Sequence, residues 1–196
     1  MHLVVANRGE IAVRLLRTAR DQGFTTLVLH TGEEATALPV RLADDAVQLP
    51  GEGAAAYLDS VAVVAAARKA GPGALVHPGY GFLSESADLA AACAAAGLVF
   101  VGPAPEVLRV FGDKVAARAA AERAGVPVLA ATAAGAGPAE IAALLAEHPR
   151  GIVIKAAAGG GGRAARGGGA ARGAARPRTP GRGRGRARAR PPRPTR

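Results

Sequence analysis

The sequence predicts a doubly wound α/β fold around a parallel sheet, on two observations. Short apolar runs at residues 3–6, 25–30, 74–76 and 98–101 alternate with longer segments whose apolar residues recur at helical spacing. Glycines end most of the helical segments, as is common at helix C-termini. Strands that alternate with helices form right-handed βαβ units, so the strands lie parallel and ligands bind at their carboxyl ends.

The first strand and helix are the clearest elements. After the strand at residues 3–6, a shared helical face is formed by Ile11, Leu15, Leu16 and Ala19. Gly23 ends that helix, and the β-branched run at residues 25–30 predicts the next strand. A second strand–helix step follows less clearly. 

Capping residues locate the next two helices. Asp59 and Ser60 precede a helix that ends near Gly71, and Ser86 precedes one that ends at Gly97. Each helix leads into an apolar strand, at residues 74–76 and 98–101. 

The pattern changes after Gly102. Helices are predicted at residues 105–111 and 113–124, Pro138 opens another, and residues 151–155 form a strand that runs into glycines. We therefore divide the chain into an N-terminal domain at residues 1–112, the start of a second domain at residues 113–162, and a tail at residues 163–196. 

The tail carries the basic charge of the chain. Twelve of the 25 basic residues are arginines between Arg163 and Arg196, whereas residues 1–162 hold 13 basic and 15 acidic residues, a net charge of −2. The tail contains Gly, Ala, Arg and Pro at all but two positions and should be disordered. Its composition is that of an out-of-frame reading of a GC-rich gene. A natural arginine-rich tail that binds RNA or DNA in a salt-sensitive manner is the alternative.

Other features of the sequence restrict location and chemistry. The longest apolar run, residues 89–101, is shorter than the ~20 residues that span a bilayer. The first eight residues lack the pattern of a signal peptide, so we expect a cytoplasmic protein. Cys93 is the sole cysteine, which excludes an intrachain disulfide, and its alanine-rich surroundings predict a buried thiol.

Two loops follow predicted strands and carry candidate ligand-binding residues. Residues 7–10, Asn-Arg-Gly-Glu, open the first helix; they form either an anion site or a capping box from Asn7 to Glu10. Residues 77–85, His-Pro-Gly-Tyr-Gly-Phe-Leu-Ser-Glu, contain two glycines that permit close backbone approach. The loop lacks the third glycine of the dinucleotide fingerprint, which argues against a nicotinamide cofactor.

Two lysines suit a nucleotide. Lys114 begins a predicted helix, and Lys155 ends a strand shortly before the glycines at residues 159–162. A glycine-rich loop can direct its N–H groups at phosphates, and a lysine held by a strand adds a positive charge. The sequence contains no P-loop motif. 

Taken together, the motifs at residues 6–12, 77–85, 100–103, 112–114 and 154–162 resemble the biotin carboxylase family over residues 2–163. The resemblance implies a Rossmann-like N-terminal domain followed by an ATP-grasp domain. It also implies a reaction in which ATP, Mg²⁺ and bicarbonate carboxylate biotin on a carrier protein, for use by the carboxyltransferase of an acyl-CoA carboxylase. 

The same resemblance assigns individual residues. Lys114 and Lys155 would contact the nucleotide, and Gly161 and Gly162 would form the loop over its phosphates. Arg14 and Arg17 match positions at the homodimer contact of the family, although solvated helix charges explain their spacing equally well.

The sequence departs from the family after Arg163. The magnesium-binding glutamates, the bicarbonate-binding and catalytic arginines and the general base of the family lie later, so no catalytic or metal-binding residue is assigned in this chain. We therefore expect the isolated chain to be inactive in biotin-dependent ATP cleavage. Another ATP-grasp ligase, such as half of a carbamoyl phosphate synthetase, is the alternative, and the motifs at residues 7–12 and 77–85 argue against it.

Overall fold

Five parallel strands form the central sheet. The computed structural model describes residues 1–154 and the backbone of residues 166–168. The strands of this sheet are β1 (His2–Val5), β2 (Thr25–His30), β3 (Asp45–Gln48), β4 (Leu75–His77) and β5 (Val99–Phe100). Their order is β3-β2-β1-β4-β5, and every adjacent pair is parallel. The doubly wound fold predicted from the sequence is confirmed. 

The helices of this part of the chain are α1 (Gly9–Asp21), α2 (Leu38–Leu42), α3 (Ser60–Ala67), α4 (Ala87–Ala95), α5 (Pro105–Gly112) and α6 (Lys114–Arg123). Helices α1 and α2 pack on one face of the sheet and α3 and α4 on the other. Helix α5 contacts α4, and α6 contacts α5. Short 3-10 helices lie at Gly32–Glu34, Gly53–Leu58 and Arg68–Ala70. 

The alternation of side chains along β1 divides the core into two layers. Leu3 and Val5 point to one face and pack with Leu16 of α1. Val4 points to the other face and packs in one cluster with Val63 of α3 and with α4 residues that include Leu89 and Cys93. Because β1 is the middle strand and both of its faces are covered, its residues form a continuous apolar run.

The edge strand β3 and the short helix α2 were not identified from the sequence. β3 has only four residues and one buried side chain, Val47, so its apolar pattern is weak. The strand is held by its register with β2, in which Val28 is opposite Ala46. Pairing with β2 therefore decides a strand that the local pattern leaves ambiguous.

The chain divides into two compact units, Met1–Leu129 and Ala130–Arg196. The first contains the five-stranded sheet and α1 to α6. In the second, α7 (Pro138–Glu147) begins with Pro138 as expected. An antiparallel pair is formed by β6 (Ile152–Ile154) and β7 (Arg166–Gly168). The boundary after residue 112 stays a prediction, and the disordered tail predicted for residues 163–196 lies almost entirely outside the described residues.

Candidate functional site

The candidate site lies where the strand order reverses. The loops that follow β1 and β4 leave neighbouring parallel strands, and ligands of open α/β sheets bind in the crevice outside such a switch point. The two strands are joined up to their ends, because the Ala6 N–H donates to the His77 carbonyl oxygen at 3.0 Å. Both motifs singled out in the sequence therefore meet here.

Asn7 connects the two loops. Its side chain is only 2% exposed, and Nδ2 donates to the carbonyl oxygens of Pro78 at 2.7 Å and Tyr80 at 3.0 Å. Its Oδ1 accepts from the Arg8 N–H at 2.8 Å. The N-cap of α1 is Arg8, without a side-chain cap bond. The capping box considered for Asn7 and Glu10 was wrong, because the amide of Asn7 is engaged by the loop after β4.

Two backbone conformations shape the loop after β4. Gly79 has φ +69°, and a Cβ built there would lie 2.6 Å from Asn7 Nδ2 and 2.8 Å from Ile11 Cγ2. Phe82 has φ +43°, a left-handed conformation that is unfavourable for a bulky side chain. Gly79 is therefore required both for its dihedral angle and for the close approach of the Asn7 side chain.

Glu34 collects hydrogen bonds from three elements. Its carboxylate accepts from the Thr31 hydroxyl at 2.9 Å and lies 2.8 Å from the Tyr57 hydroxyl. The same carboxylate forms an ion pair with the Arg8 guanidinium. Burial of Glu34 acts to raise its pKa, but the bonds from Tyr57, Thr31 and Arg8 outweigh that effect and hold the pKa below its usual value. Glu34 is therefore ionised at neutral pH.

Tyr57 links this network to the loop after β4. Its hydroxyl lies 3.1 Å from the Leu29 carbonyl oxygen as well as beside Glu34. Burial and the neighbouring carboxylate of Glu34 raise the pKa of Tyr57, so the hydroxyl stays protonated. The Tyr57 ring packs on the Phe82 ring with centroids 5.3 Å apart. Sequence reasoning did not select Glu34 or Tyr57, because neither belongs to a motif.

These side chains surround a cavity of about 470 Å³. Its walls come from the start of α1, the end of β2, the chain around α2, and the loop after β4. Polar groups come from Asn7, Arg8, Glu10, His30, Glu34, Tyr57 and Tyr80, and apolar side chains from Ile11, Leu29, Ala37, Pro39, Val40 and Phe82. A cavity that combines apolar walls with fixed polar groups is the usual form of a small-molecule site.

His77 supports the loop from the end of β4. Its Nδ1 lies 3.0 Å from the Gly79 backbone nitrogen and accepts the N–H there. Burial, and secondarily the positive charge of Arg14, lower the pKa of His77. The neutral imidazole is the form that can accept this bond, so geometry and electrostatics agree.

The remaining predicted site residues lie at other places. Lys114 is the first residue of α6, after the N-cap Asp113, whose carboxylate accepts from the N–H groups of Val115 and Ala116 at 2.8 and 3.1 Å. Arg14 and Arg17 are exposed on α1. Lys155, Gly161 and Gly162, predicted as nucleotide contacts, lie outside the residues that the structure describes. Cys93 is buried as predicted, and burial raises its pKa to about 11. 

Within the described part of the chain, no group of three or more His, Cys, Asp or Glu side chains could hold a metal ion. Of the helices that the structure describes, none has the length and apolar character needed to cross a membrane.

Residues 1–108 match the family described as the biotin carboxylase N-terminal domain. The chain belongs to the biotin carboxylase family. It is 46% identical over 157 residues to the biotin-dependent acyl-coenzyme A carboxylase alpha3 subunit of Mycobacterium leprae, which covers 79% of this chain and 26% of the relative. It is 44% identical over 128 residues to the biotin carboxylase of Pseudomonas aeruginosa, which covers 65% of this chain and 28% of that protein. The carbamoyl phosphate synthetase alternative is thereby set aside.

Solved biotin carboxylases share the fold. The Campylobacter jejuni biotin carboxylase superposes with a TM-score of 0.77 at 36% identity, over 85% of this chain and 37% of that chain. The biotin carboxylase domain of the Hydrogenobacter thermophilus 2-oxoglutarate carboxylase, solved with MgADP, ADP and bicarbonate, gives 0.75 at 35% identity with the same coverage. This chain spans about a quarter of the length of the curated biotin carboxylase relatives, 28% in the example from Pseudomonas. 

Proposed function

We propose that this chain serves an ATP- and bicarbonate-dependent carboxylation of biotin on a carrier protein. The observation that carries the proposal is the family match over residues 1–108. In the reaction that the family implies, bicarbonate attacks the γ-phosphorus of ATP, ADP leaves, and the resulting carboxyphosphate gives its carboxyl group to biotin and releases phosphate. The expected cofactors are ATP and Mg²⁺, with biotin as the carrier-bound substrate. 

The partners follow from the same proposal. A biotin carboxyl carrier protein or domain would present the biotin, and a carboxyltransferase would pass the carboxyl group to an acyl-CoA. The similarity to an acyl-CoA carboxylase subunit supports this choice of acceptor class. A cytoplasmic location stays part of the proposal. 

For ATP, we propose contacts from Lys114, Lys155, Gly161 and Gly162. Asp113 fixes the backbone at the start of α6, which supports a defined position for Lys114. The ammonium groups would offset the phosphate charge. The inactivity expected of the isolated chain concerns turnover, so binding is the measurement that tests these residues.

The chain has three lysines, which provides a matched control. ATP binding with Mg²⁺ is measured by calorimetry for the chain, for Lys114→Ala and Lys155→Ala, and for Lys69→Ala, whose exposed lysine follows α3. We expect each of the first two variants to weaken binding by about tenfold or more, equivalent to ~1.4 kcal/mol, and Lys69→Ala to leave it unchanged. Absent binding, or an equal loss in Lys69→Ala, would contradict the assignment.

We also propose a homodimer through Arg14 and Arg17, which are exposed and one turn apart on α1. Sedimentation velocity of the chain should show a dimer that Arg14→Glu with Arg17→Glu dissociates. Arg109→Glu with Arg123→Glu, on α5 and α6, reverses two charges at other exposed positions and should leave the dimer intact. A chain that stays monomeric at ~100 μM, well above a typical dimer Kd, would refute the dimer.

A further inference from the structure

Tyr80 lies at the mouth of the cavity, on the loop after β4. Its side chain is 68% exposed and lines the cavity together with Gly81 and Phe82. Loops at such positions are normally mobile, because few contacts hold an exposed backbone. The loop after β4 is unusual because its backbone is held on both sides of Tyr80. 

The first anchor is the buried amide of Asn7. Both of its N–H donors are used, one on the Pro78 carbonyl and one on the Tyr80 carbonyl, which lie on either side of Gly79. Leaving a buried amide without these partners would cost about 1–3 kcal/mol, so the pairing resists separation. Because Gly79 has no side chain, the Asn7 amide can approach the backbone of this loop closely. 

The second anchor is the Phe82 ring on Tyr57. The left-handed backbone of Phe82 is unfavourable and persists only where the surroundings impose it. Tyr57 can impose it, because its hydroxyl is held by Glu34 and its ring packs on Phe82. Asn7 and Tyr57 thus fix the residues on the two sides of Gly81. 

We propose that Asn7 is a positioning residue that fixes Tyr80 at the mouth of the cavity, with the Tyr57–Phe82 contact as the second anchor. A loop ordered in advance lets Tyr80 meet a ligand without the entropy cost of ordering it during binding. The positioning of Tyr80 by Asn7 does not depend on the proposed function. Only the identity of the reaction in which the site takes part rests on it. 

The composition of the chain makes the anchor directly observable. Asn7 is the sole asparagine, and Tyr57 and Tyr80 are the two tyrosines. In the full chain labelled with ¹⁵N-asparagine, the single side-chain NH₂ pair should exchange with solvent at least about tenfold more slowly than a free amide, as expected of hydrogen-bonded protons. Exchange at the rate of a free amide would overturn the proposal without any variant.

The second readout follows Tyr80 itself. Ring ¹³C relaxation gives one order parameter for each tyrosine, assigned with Tyr57→Phe. Asn7→Asp keeps the acceptor for Arg8 but removes both donors, and should lower the Tyr80 order parameter below about 0.6, the range of flexible groups. Chymotrypsin should then cleave after Tyr80 or Phe82 at least about tenfold faster, since cleavage follows local opening. Tyr57 and the far-UV circular dichroism should be unchanged.

Asp59→Ala is the matched control. It also removes two side-chain-to-backbone hydrogen bonds, those from the Val61 and Ala62 N–H groups, but at the start of α3. An equal loss of Tyr80 order in Asp59→Ala, or none in Asn7→Asp, would overturn the proposal. If Asn7→Asp does not fold, Gly79→Ala replaces it, and unchanged protection of the Asn7 amide there would overturn the proposal. 

ATP binding measured on the same samples separates this proposal from the function. Absent ATP binding in the unaltered chain would contradict the nucleotide assignment but not the positioning of Tyr80. 

Discussion

At the residue scale, Gly79 and Gly81 have nearly equal backbone angles but different surroundings. Their φ values are +69° and +71°, yet a Cβ at Gly79 would collide with Asn7 and Ile11, whereas one at Gly81 would meet nothing within 4 Å. The pair therefore separates the effect of backbone conformation from the effect of space.

Gly79→Ala should lower the free energy of unfolding more than Gly81→Ala. Both variants carry a left-handed penalty of about 1–2 kcal/mol. Gly79→Ala should add about 1–3 kcal/mol, because the fixed Asn7 side chain must move. Urea titration of both variants measures the difference. An equal decrease in the free energy of unfolding for the two variants would show that displacing the Asn7 side chain does not destabilise the fold.

His77 should make the free energy of unfolding depend on pH. Its folded pKa lies below the usual value of about 6.5, so the unfolded chain binds more protons between the two values. With respect to His77, the free energy of unfolding is therefore highest above pH 6.5. It should fall as the pH decreases from 6.5 towards the folded pKa. The slope should stay below one proton per molecule.

Urea titrations between pH 5 and 8 measure this slope. The Glu34 carboxylate, whose pKa is lowered, makes the free energy of unfolding depend on pH only below about pH 4.5, outside this window. His77→Gln keeps a polar side chain that does not titrate and should flatten the slope. If the pH dependence persists in His77→Gln, another titrating group causes it.

At the element scale, local signals in the sequence located the helix starts well. Asp59 accepts from two N–H groups of α3, and Ser86 accepts from the Leu89 N–H at 3.1 Å, as their positions predicted. Capping depends on residues two or three positions apart, so the sequence contains the information. The same rule gave a wrong prediction for Asn7, because its side-chain amide binds carbonyl groups of a loop more than 70 residues away in sequence.

Leu89→Ala tests whether α4 is held by packing. Leu89 is 0% exposed and belongs to the core layer shared with α3. Its truncation should cost about 2–5 kcal/mol, the range for a buried leucine. Val61→Ala on α3 is the control, since Val61 is 77% exposed and should change stability by no more than ~0.5 kcal/mol. Similar effects would contradict the packing assigned to α4.

At the scale of the whole molecule, the unit Met1–Leu129 holds the complete five-stranded sheet and both core layers. A version comprising residues 1–129 should therefore fold by itself. We expect a cooperative urea transition and well-dispersed amide signals in its NMR spectrum. A non-cooperative transition would show that this unit does not hold all the contacts that its fold needs.

The sequence by itself determined the α/β class, most strands and helices, the N-caps of α3 and α4, and the family. These depend on periodicity, on spacing over a few residues and on motifs, all of which are local. The predicted positions of Arg14 and Arg17 on one exposed face of α1 also follow from helical spacing. 

Only the tertiary structure decided how the site is assembled. Asn7 meets Pro78 and Tyr80, and Glu34 meets Arg8 and Tyr57, across 23 to 73 positions of sequence. No local pattern encodes such contacts, because they arise when β1, β2 and β4 place their carboxyl ends at one edge of the sheet. Burial at that edge then determines which polar groups must pair, and therefore how the loop that carries Tyr80 is held.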